Sequence, residues 1–203
     1  MTSFRIEGGR QLSGGLTVSG NKNAALPIIA ASLLTDKEVI LKNVPDILDV
    51  RVMLEILSTL GADVSFEKSI LRIKASSLKS HEISKDLCAR VRTSFLLCAP
   101  LLYRTGKCVL WPPGGDLIGR RRLDAHFYGL KTLGADLSVD DFPFTFSRSG
   151  RLRGRDLFLD EASVTATEHI LMAAVLAEGR TVIRNAASEP HVKSLAEFLN
   201  KMG

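Results

Sequence analysis

A chain of 203 residues with 45% apolar and 24% charged residues has the make-up of a globular protein able to bury one substantial core. Its net charge of +5 is mild, aromatics make up 6%, and no basic stripe alternates with aromatics, which argues against nucleic acid and suits a small anionic ligand. The longest apolar run, 95–103, contains Pro100 and is too short to cross a bilayer. The first residues hold no apolar signal core, and Cys88, Cys98 and Cys108 lack metal spacing, so the expectation is a reduced, cytoplasmic protein that touches no membrane.

The predicted elements fall into three similar runs. The first has a helix over 24–34, a strand over 38–42, a helix over 48–60, and a strand pair over 62–67 and 70–75 that turns at Lys68-Ser69. Leu48, Val52, Ile56 and Leu60 share one helical face, and Gly61 ends that helix. The second run has a helix over 93–102, with Cys98 as a core residue, then a strand over 107–111. After a long connection come a helix over 123–133, closed by Gly134, and a strand pair over 135–139 and 142–146 that turns at Asp140-Asp141. The third has a strand over 156–160, a helix over 166–177, a strand over 180–184 and a helix over 191–202.

Gly61, Gly134 and Gly203 recur about every 70 residues, the mark of a repeated unit. That unit reads α-β-α-β-β, with a further strand expected just before each first helix; the fold class is α/β (α+β). Such units hide their apolar faces only against one another, so the Ala- and Leu-rich first helices are expected at the centre. The third copy lacks the closing strand pair, and the expectation is the N-terminal half of a longer chain.

Four segments carry chemistry. In the second copy, residues 111–124 place two prolines, three glycines, Asp116 and the arginines Arg120, Arg121 and Arg122 between a strand and a helix. Glycines admit close approach by a ligand, arginines supply forked donors for phosphate, and a nearby acid can exchange a proton. Ser19-Gly20-Asn21-Lys22-Asn23 opens the first helix, where free N–H groups favour an anion; the plainer reading is an Asn cap with Lys22 facing water. Arg90 and Arg92 open the corresponding helix of the second copy. Residues 160–167 form a junction of small hydroxyl residues in the third. Because these three starts occupy equivalent places, the triplication predicts that they lie near one another.

Ser19-Gly20-Asn21-Lys22-Asn23-Ala24-Ala25-Leu26-Pro27, Pro113-Gly114-Gly115-Asp116 with Ile118, Gly119 and Arg121, and Leu133-Gly134-Ala135 resemble the UDP-N-acetylglucosamine enolpyruvyl transferases. The likeness runs from Phe4 to Gly203. It implies an inverse α/β domain of three β-α-β-α-β-β-like repeats, about 22–78, 79–150 and a truncated 151–203. Residues 1–21 would belong to the family's second domain, whose C-terminal portion is missing here and would be this chain's partner.

The resemblance implies transfer of the enolpyruvyl group of phosphoenolpyruvate to the 3-hydroxyl of UDP-N-acetylglucosamine, at the start of peptidoglycan precursor synthesis, with no cofactor or metal. Asp116 would be the proton donor, Lys22 and Asn23 would meet phosphoenolpyruvate, Arg92 would contact the substrates, and Arg121 would clamp the phosphate. Arg122, Leu123, Asp124, Ala125 and His126 would border the uridine end, and Glu161, Ala162, Ser163 and Val164 would lie near the diphosphate. Many relatives carry Cys at Asp116, so insensitivity to the thiol-alkylating antibiotic fosfomycin is expected. Relatives often carry a basic residue at Glu161. The alternatives are a non-catalytic half that binds the nucleotide sugar, and the shikimate-pathway enolpyruvyl transferase, whose lysine motif differs and which lacks the Pro-Gly-Gly loop. The chain alone is expected to be inactive, because half a cleft cannot set a base opposite the acid.

Overall fold

The computed structural model describes residues 3–115 and 122–203. Residues 3–20 carry no helix or strand, and their apolar side chains Phe4, Ile6, Leu12, Leu16 and Val18 are exposed.

Helix α1 (Lys22–Ala31) starts at Asn21, whose Oδ1 accepts the Ala24 amide at 3.0 Å, and passes through a 3-10 turn at Ser32–Leu34. Strand β1 (Glu38–Lys42) leads to helix α2 (Leu48–Leu60), which Gly61 ends in the left-handed conformation at φ 102°. The hairpin β2 (Asp63–Glu67) and β3 (Ile70–Lys74) follows, turning at Lys68 and Ser69, both at positive φ. The face expected on α2 begins one turn late: Val52, Ile56 and Leu60 are buried, whereas Leu48 in the first turn is 70% exposed.

The second unit opens differently from the predicted helix. A short helix α3 (Lys85–Arg90), capped by Ser84, precedes a 3-10 segment Arg92–Leu97, which continues into α4 (Cys98–Thr105). Strand β4 (Lys107–Leu110), helix α5 (Asp124–Thr132), and strands β5 (Asp136–Ser138) and β6 (Phe144–Ser147) complete it. The third unit has β7 (Asp156–Phe158), α6 (Val164–Ala174), β8 (Val182–Arg184) and α7 (Pro190–Met202).

The first two units build the same antiparallel sheet, β1-β3-β2 and β4-β6-β5, with the second strand of each hairpin in the centre. In the third unit β7 pairs with β8 in parallel, the strand expected before that helix. The second unit keeps only a bridge of that kind, where Ile83 donates to the Val109 carbonyl and Val109 to that of His81. The first has none among the described residues. The outer edge of β1 instead borders an open groove of about 990 Å³ lined by Ala24, Ile28, Ile40, Phe198 and Met202, among others.

The first helices meet in the centre. α4 packs on α6, α1 and α6 both pack on the 92–97 segment, and α7 packs on both α1 and α6. Ala30, Ala31, Leu101, Leu102, Ala166 and Ile170 are buried there, where small side chains let helices approach closely. Phe95 meets Phe127, Phe144 and Phe146 edge-on at 5.8–6.5 Å, tying this centre to the second sheet. All three cysteines are buried and unpaired. Among the described residues, no helix is long and apolar enough to cross a membrane.

Candidate active site

The starts of α1, the 92–97 segment and α6 open onto one hollow of about 270 Å³, lined by Asn23, Thr93, Thr165 and Glu168, with Glu189 and His191 from the start of α7. Asn21 Oδ1 and Ser163 Oγ already cap α1 and α6, so two capped helix starts and the 3-10 segment converge on this hollow. The much larger groove beside β1 takes in the outer side of the α1 start, with Asn21 and Ala24, but its described lining includes neither the 92–97 segment nor the start of α6.

Among the described residues, Thr93 Oγ1 and Glu168 Oε1 of this hollow are buried without a hydrogen-bond partner. Glu168 is 2% exposed, and burial, helped by the negative charge of Glu189, pushes its carboxyl up to about 8. At neutral pH it is therefore an acid that can donate a proton to a ligand oxygen. Pro27 has no N–H to return to the Asn23 carbonyl, so α1 offers a backbone acceptor as well.

Lys22, in the first turn of α1, does not face water alone: its Nζ lies 2.6 Å from Asp49 Oδ2 in the first turn of α2. Arg92 is half-buried at the start of the 3-10 segment, and its charge adds to burial in holding His126 neutral. Arg122 Nε donates to Asp124 Oδ2 at 2.9 Å, which holds the Asp124 carboxyl below its ordinary range. Asp160 and Glu161 add their charges around Arg122, so the acidic residue at 161 stands near a cation of the second unit.

The described part of the glycine-rich loop is pinned beside Arg92. Gly114 donates to the Cys88 carbonyl and Gly115 to that of Ala89, at 2.9 and 3.3 Å. A β-carbon on Gly114 would sit 1.8 Å from the Ala89 carbonyl oxygen, and Gly115 has φ +90°, so this contact demands the two glycines. The expected proton donor Asp116 and phosphate clamp Arg121 lie outside the described residues.

Ser163 caps α6 through its Oγ, and Val164 borders the hollow while Glu161 and Ala162 are exposed. Leu123 is half-buried. Ala125 and His126 lie beneath the surface, 5% and 2% exposed, which makes them supports for the residues above and not a border to the solvent. His126 Nδ1 is 3.1 Å from His169 Nδ1, and its Nε2 is 3.2 Å from Thr165 Oγ1.

Asp49, Glu168 and His169 were not among the residues that the sequence pointed to, whereas Thr165 falls in the hydroxyl junction 160–167 and Thr93 at the start of the helix expected over 93–102. Glu168 and His169 had a signal, two ionisable residues inside an otherwise apolar stretch of helix; Asp49 had none that spacing along the chain reveals.

A centre of three small-residue helices, ringed by short sheets, with helix starts gathered at one end, defines the enolpyruvyl-transferase fold. The enolpyruvyl transferase NikO from Streptomyces tendae superposes with a TM-score of 0.82 at 22% identity, over 97% of this chain and 46% of its own. EPSP synthase from Acinetobacter baumannii gives 0.70 at 18% identity, over 89% and 42%. Residues 6–203 match the family described as EPSP synthase (3-phosphoshikimate 1-carboxyvinyltransferase), and the chain belongs to that family. Within it, the sequence is 54% identical over 203 residues to the UDP-N-acetylglucosamine 1-carboxyvinyltransferase of Borreliella burgdorferi, and 54% over 204 residues to that of Treponema pallidum. Each match covers 100% of this chain but 47% and 48% of the relative, so the chain spans about half the length of the curated relatives it matches.

Proposed function

We propose that this chain forms the substrate-binding half of a UDP-N-acetylglucosamine 1-carboxyvinyltransferase. The observation that carries the proposal is 54% identity along the whole chain to proteins of that name. The polar hollow where the helix starts meet supports it. In this reading the nucleotide sugar lies along Arg122, Leu123 and Asp124 with its diphosphate near Glu161, Ala162, Ser163 and Val164, supported from below by Ala125 and His126. Phosphoenolpyruvate lies by Lys22 and Asn23, with Arg92 alongside and Arg121 on its phosphate.

Asp116 gives its proton to the methylene carbon of phosphoenolpyruvate, which leaves the neighbouring carbon electron-poor. The oxygen of the sugar 3-hydroxyl bonds to that carbon and loses its proton to a base. A proton then leaves the methyl carbon, the carbon–oxygen bond to phosphate breaks, and the double bond re-forms as phosphate departs. Closing the loop over the site would exclude water. Residues 1–21 are assigned to the opposite lobe, in keeping with their exposed apolar side chains. The setting is the cytoplasm and the pathway is peptidoglycan precursor synthesis.

The fraction of the relatives covered also favours a second reading, in which this chain alone binds the nucleotide sugar without turning it over. Calorimetry of the 203-residue chain with UDP-N-acetylglucosamine tests both: heat of binding is expected, and none at all would overturn them. Adding the missing half and following phosphate release separates them, with turnover expected only in its presence. Competition by shikimate 3-phosphate would instead favour the shikimate-pathway relative.

A further inference from the structure

The polar chain behind the hollow has its direction fixed at one end. The Ala99 amide, in the first turn of α4, can only donate, and it lies 3.1 Å from His169 Nε2. His169 Nε2 therefore carries the lone pair. Burial holds both imidazoles neutral, with His126 pushed down to about 3 and His169 well below its usual range. A neutral His169 has its proton on Nδ1, which faces His126 Nδ1 at 3.1 Å. His126 Nδ1 must accept, so its own proton is on Nε2, which faces Thr165 Oγ1 at 3.2 Å. Phe95 packs edge-on against both rings, at 5.0 and 5.5 Å between centroids, and keeps them from turning.

The Thr165 oxygen thus receives a hydrogen bond from behind, and its single hydrogen is left to point elsewhere. Thr165 is half-buried and lines the hollow. Its neighbour two positions on, Thr167, spends its hydroxyl hydrogen on the Ser163 carbonyl at 2.8 Å. We propose that the buried His169–His126 pair holds the Thr165 hydroxyl as a hydrogen-bond donor to an anionic oxygen of the ligand's diphosphate at the start of α6. This rests on the nucleotide-sugar reading above. Thr165 is then a binding residue, and His126 and His169 are positioning residues that act through it.

Nitrogen-15 NMR of the histidine side chains tests the relay without any ligand: the Nδ1–H form is expected for His169 and the Nε2–H form for His126. The reverse assignment, or a charged ring, overturns the proposal. Calorimetry with UDP-N-acetylglucosamine tests the contact. Thr165→Val, which keeps the shape and removes the hydroxyl, should weaken binding about tenfold, and Thr165→Ser should stay within about twofold of the parent. The same loss with UDP, which lacks the sugar, is expected; a loss seen only with the sugar present, or none, overturns it. His169→Phe should weaken binding as Thr165→Val does, and the double variant should be no worse than either alone. Additive losses would mean that the histidines do not act through Thr165. A parent chain that binds neither compound fails the functional reading itself, and the NMR assignment then decides the relay alone.

Discussion

The ammonium of Lys22 sits 2.6 Å from Asp49 Oδ2, so the cation that opens α1 is already matched by the acid that opens α2. Under the proposed function, an incoming phosphoenolpyruvate would compete with that acid for the lysine. Both side chains are partly exposed, and such pairs are worth at most about 1 kcal/mol. Asp49→Asn should raise the affinity for phosphoenolpyruvate by up to about fivefold, and Lys22→Ala should abolish the gain. Calorimetry on the single and double variants checks this; an unchanged affinity in Asp49→Asn would mean that the pair does not guard the site.

Stability should pass through a maximum near the ordinary histidine range, because the buried groups pull in opposite directions. His126 titrates at about 3 in the folded state against 6.5 when free. Its contribution is complete above about pH 6.5 and falls as pH drops toward 3, by up to about 1.4 kcal/mol per pH unit; His169 is shifted in the same direction. Glu168 titrates at about 8 against 4.5, so its folded form binds the proton more tightly. That contribution is complete below about pH 4.5 and is lost as pH rises toward 8. Urea midpoints across this range should show the maximum, and Glu168→Gln should flatten the alkaline side and steepen the rise between about pH 4.5 and 6.5. A parallel fall on that side in both proteins would rule out Glu168 as its cause.

How much of this was legible along the chain follows from the range of the forces involved. The α2 bounds, the Gly61 stop and the Lys68-Ser69 turn are local chemistry, and the sequence carries them in full. The start of the second unit is not local. Arg92–Leu97 winds as a 3-10 segment while packed against α1 and α6, and neither neighbour is visible in the residues themselves. Leu48 has the spacing of a core residue but lies beyond the edge of what α2 covers. At the site, the repeat predicted that the helix starts converge, and Asn23, Thr93 and Thr165 do share one hollow. Repetition says nothing of a charge partner on another helix, so Asp49 was invisible. His169 stood out as an ionisable residue in an apolar helix, but its partner did not, because its acceptor nitrogen serves the amide of a residue 70 positions away.

Gly114 is required by contact and not by conformation. Its missing β-carbon makes room for the Ala89 carbonyl, against which the loop is tied beside Arg92. Gly114→Ala should cost about 1–3 kcal/mol by overpacking, or release the loop. Hydrogen exchange distinguishes the two. Faster exchange of the Gly114 and Gly115 amides at unchanged global stability means release, and a lower urea midpoint means strain; neither effect would rule out the contact.

The excess of positive charge invites the idea that every arginine serves the ligand, yet Arg104 is committed to the fold. Its guanidinium donates to the carbonyls of Leu33, Thr35 and Ala75 at 2.7–2.9 Å, binding the end of α4 to the 3-10 turn after α1 and to the end of the first hairpin. Arg104→Met keeps the stem and strands those carbonyls, which should cost about 2–3 kcal/mol. Arg104→Lys should recover only part of this, because a point charge cannot span acceptors set for a planar fork. Arg122 is exposed and, among the described residues, its ion pair is with Asp124, so Arg122→Ala should change stability by no more than about 0.5 kcal/mol while weakening nucleotide-sugar binding. Denaturation and calorimetry on the two variants should thus move in opposite columns: stability for Arg104, affinity for Arg122. Equal effects of both on stability would mean that the second unit's arginine is structural as well, and the uridine end of the site would have to be sought elsewhere.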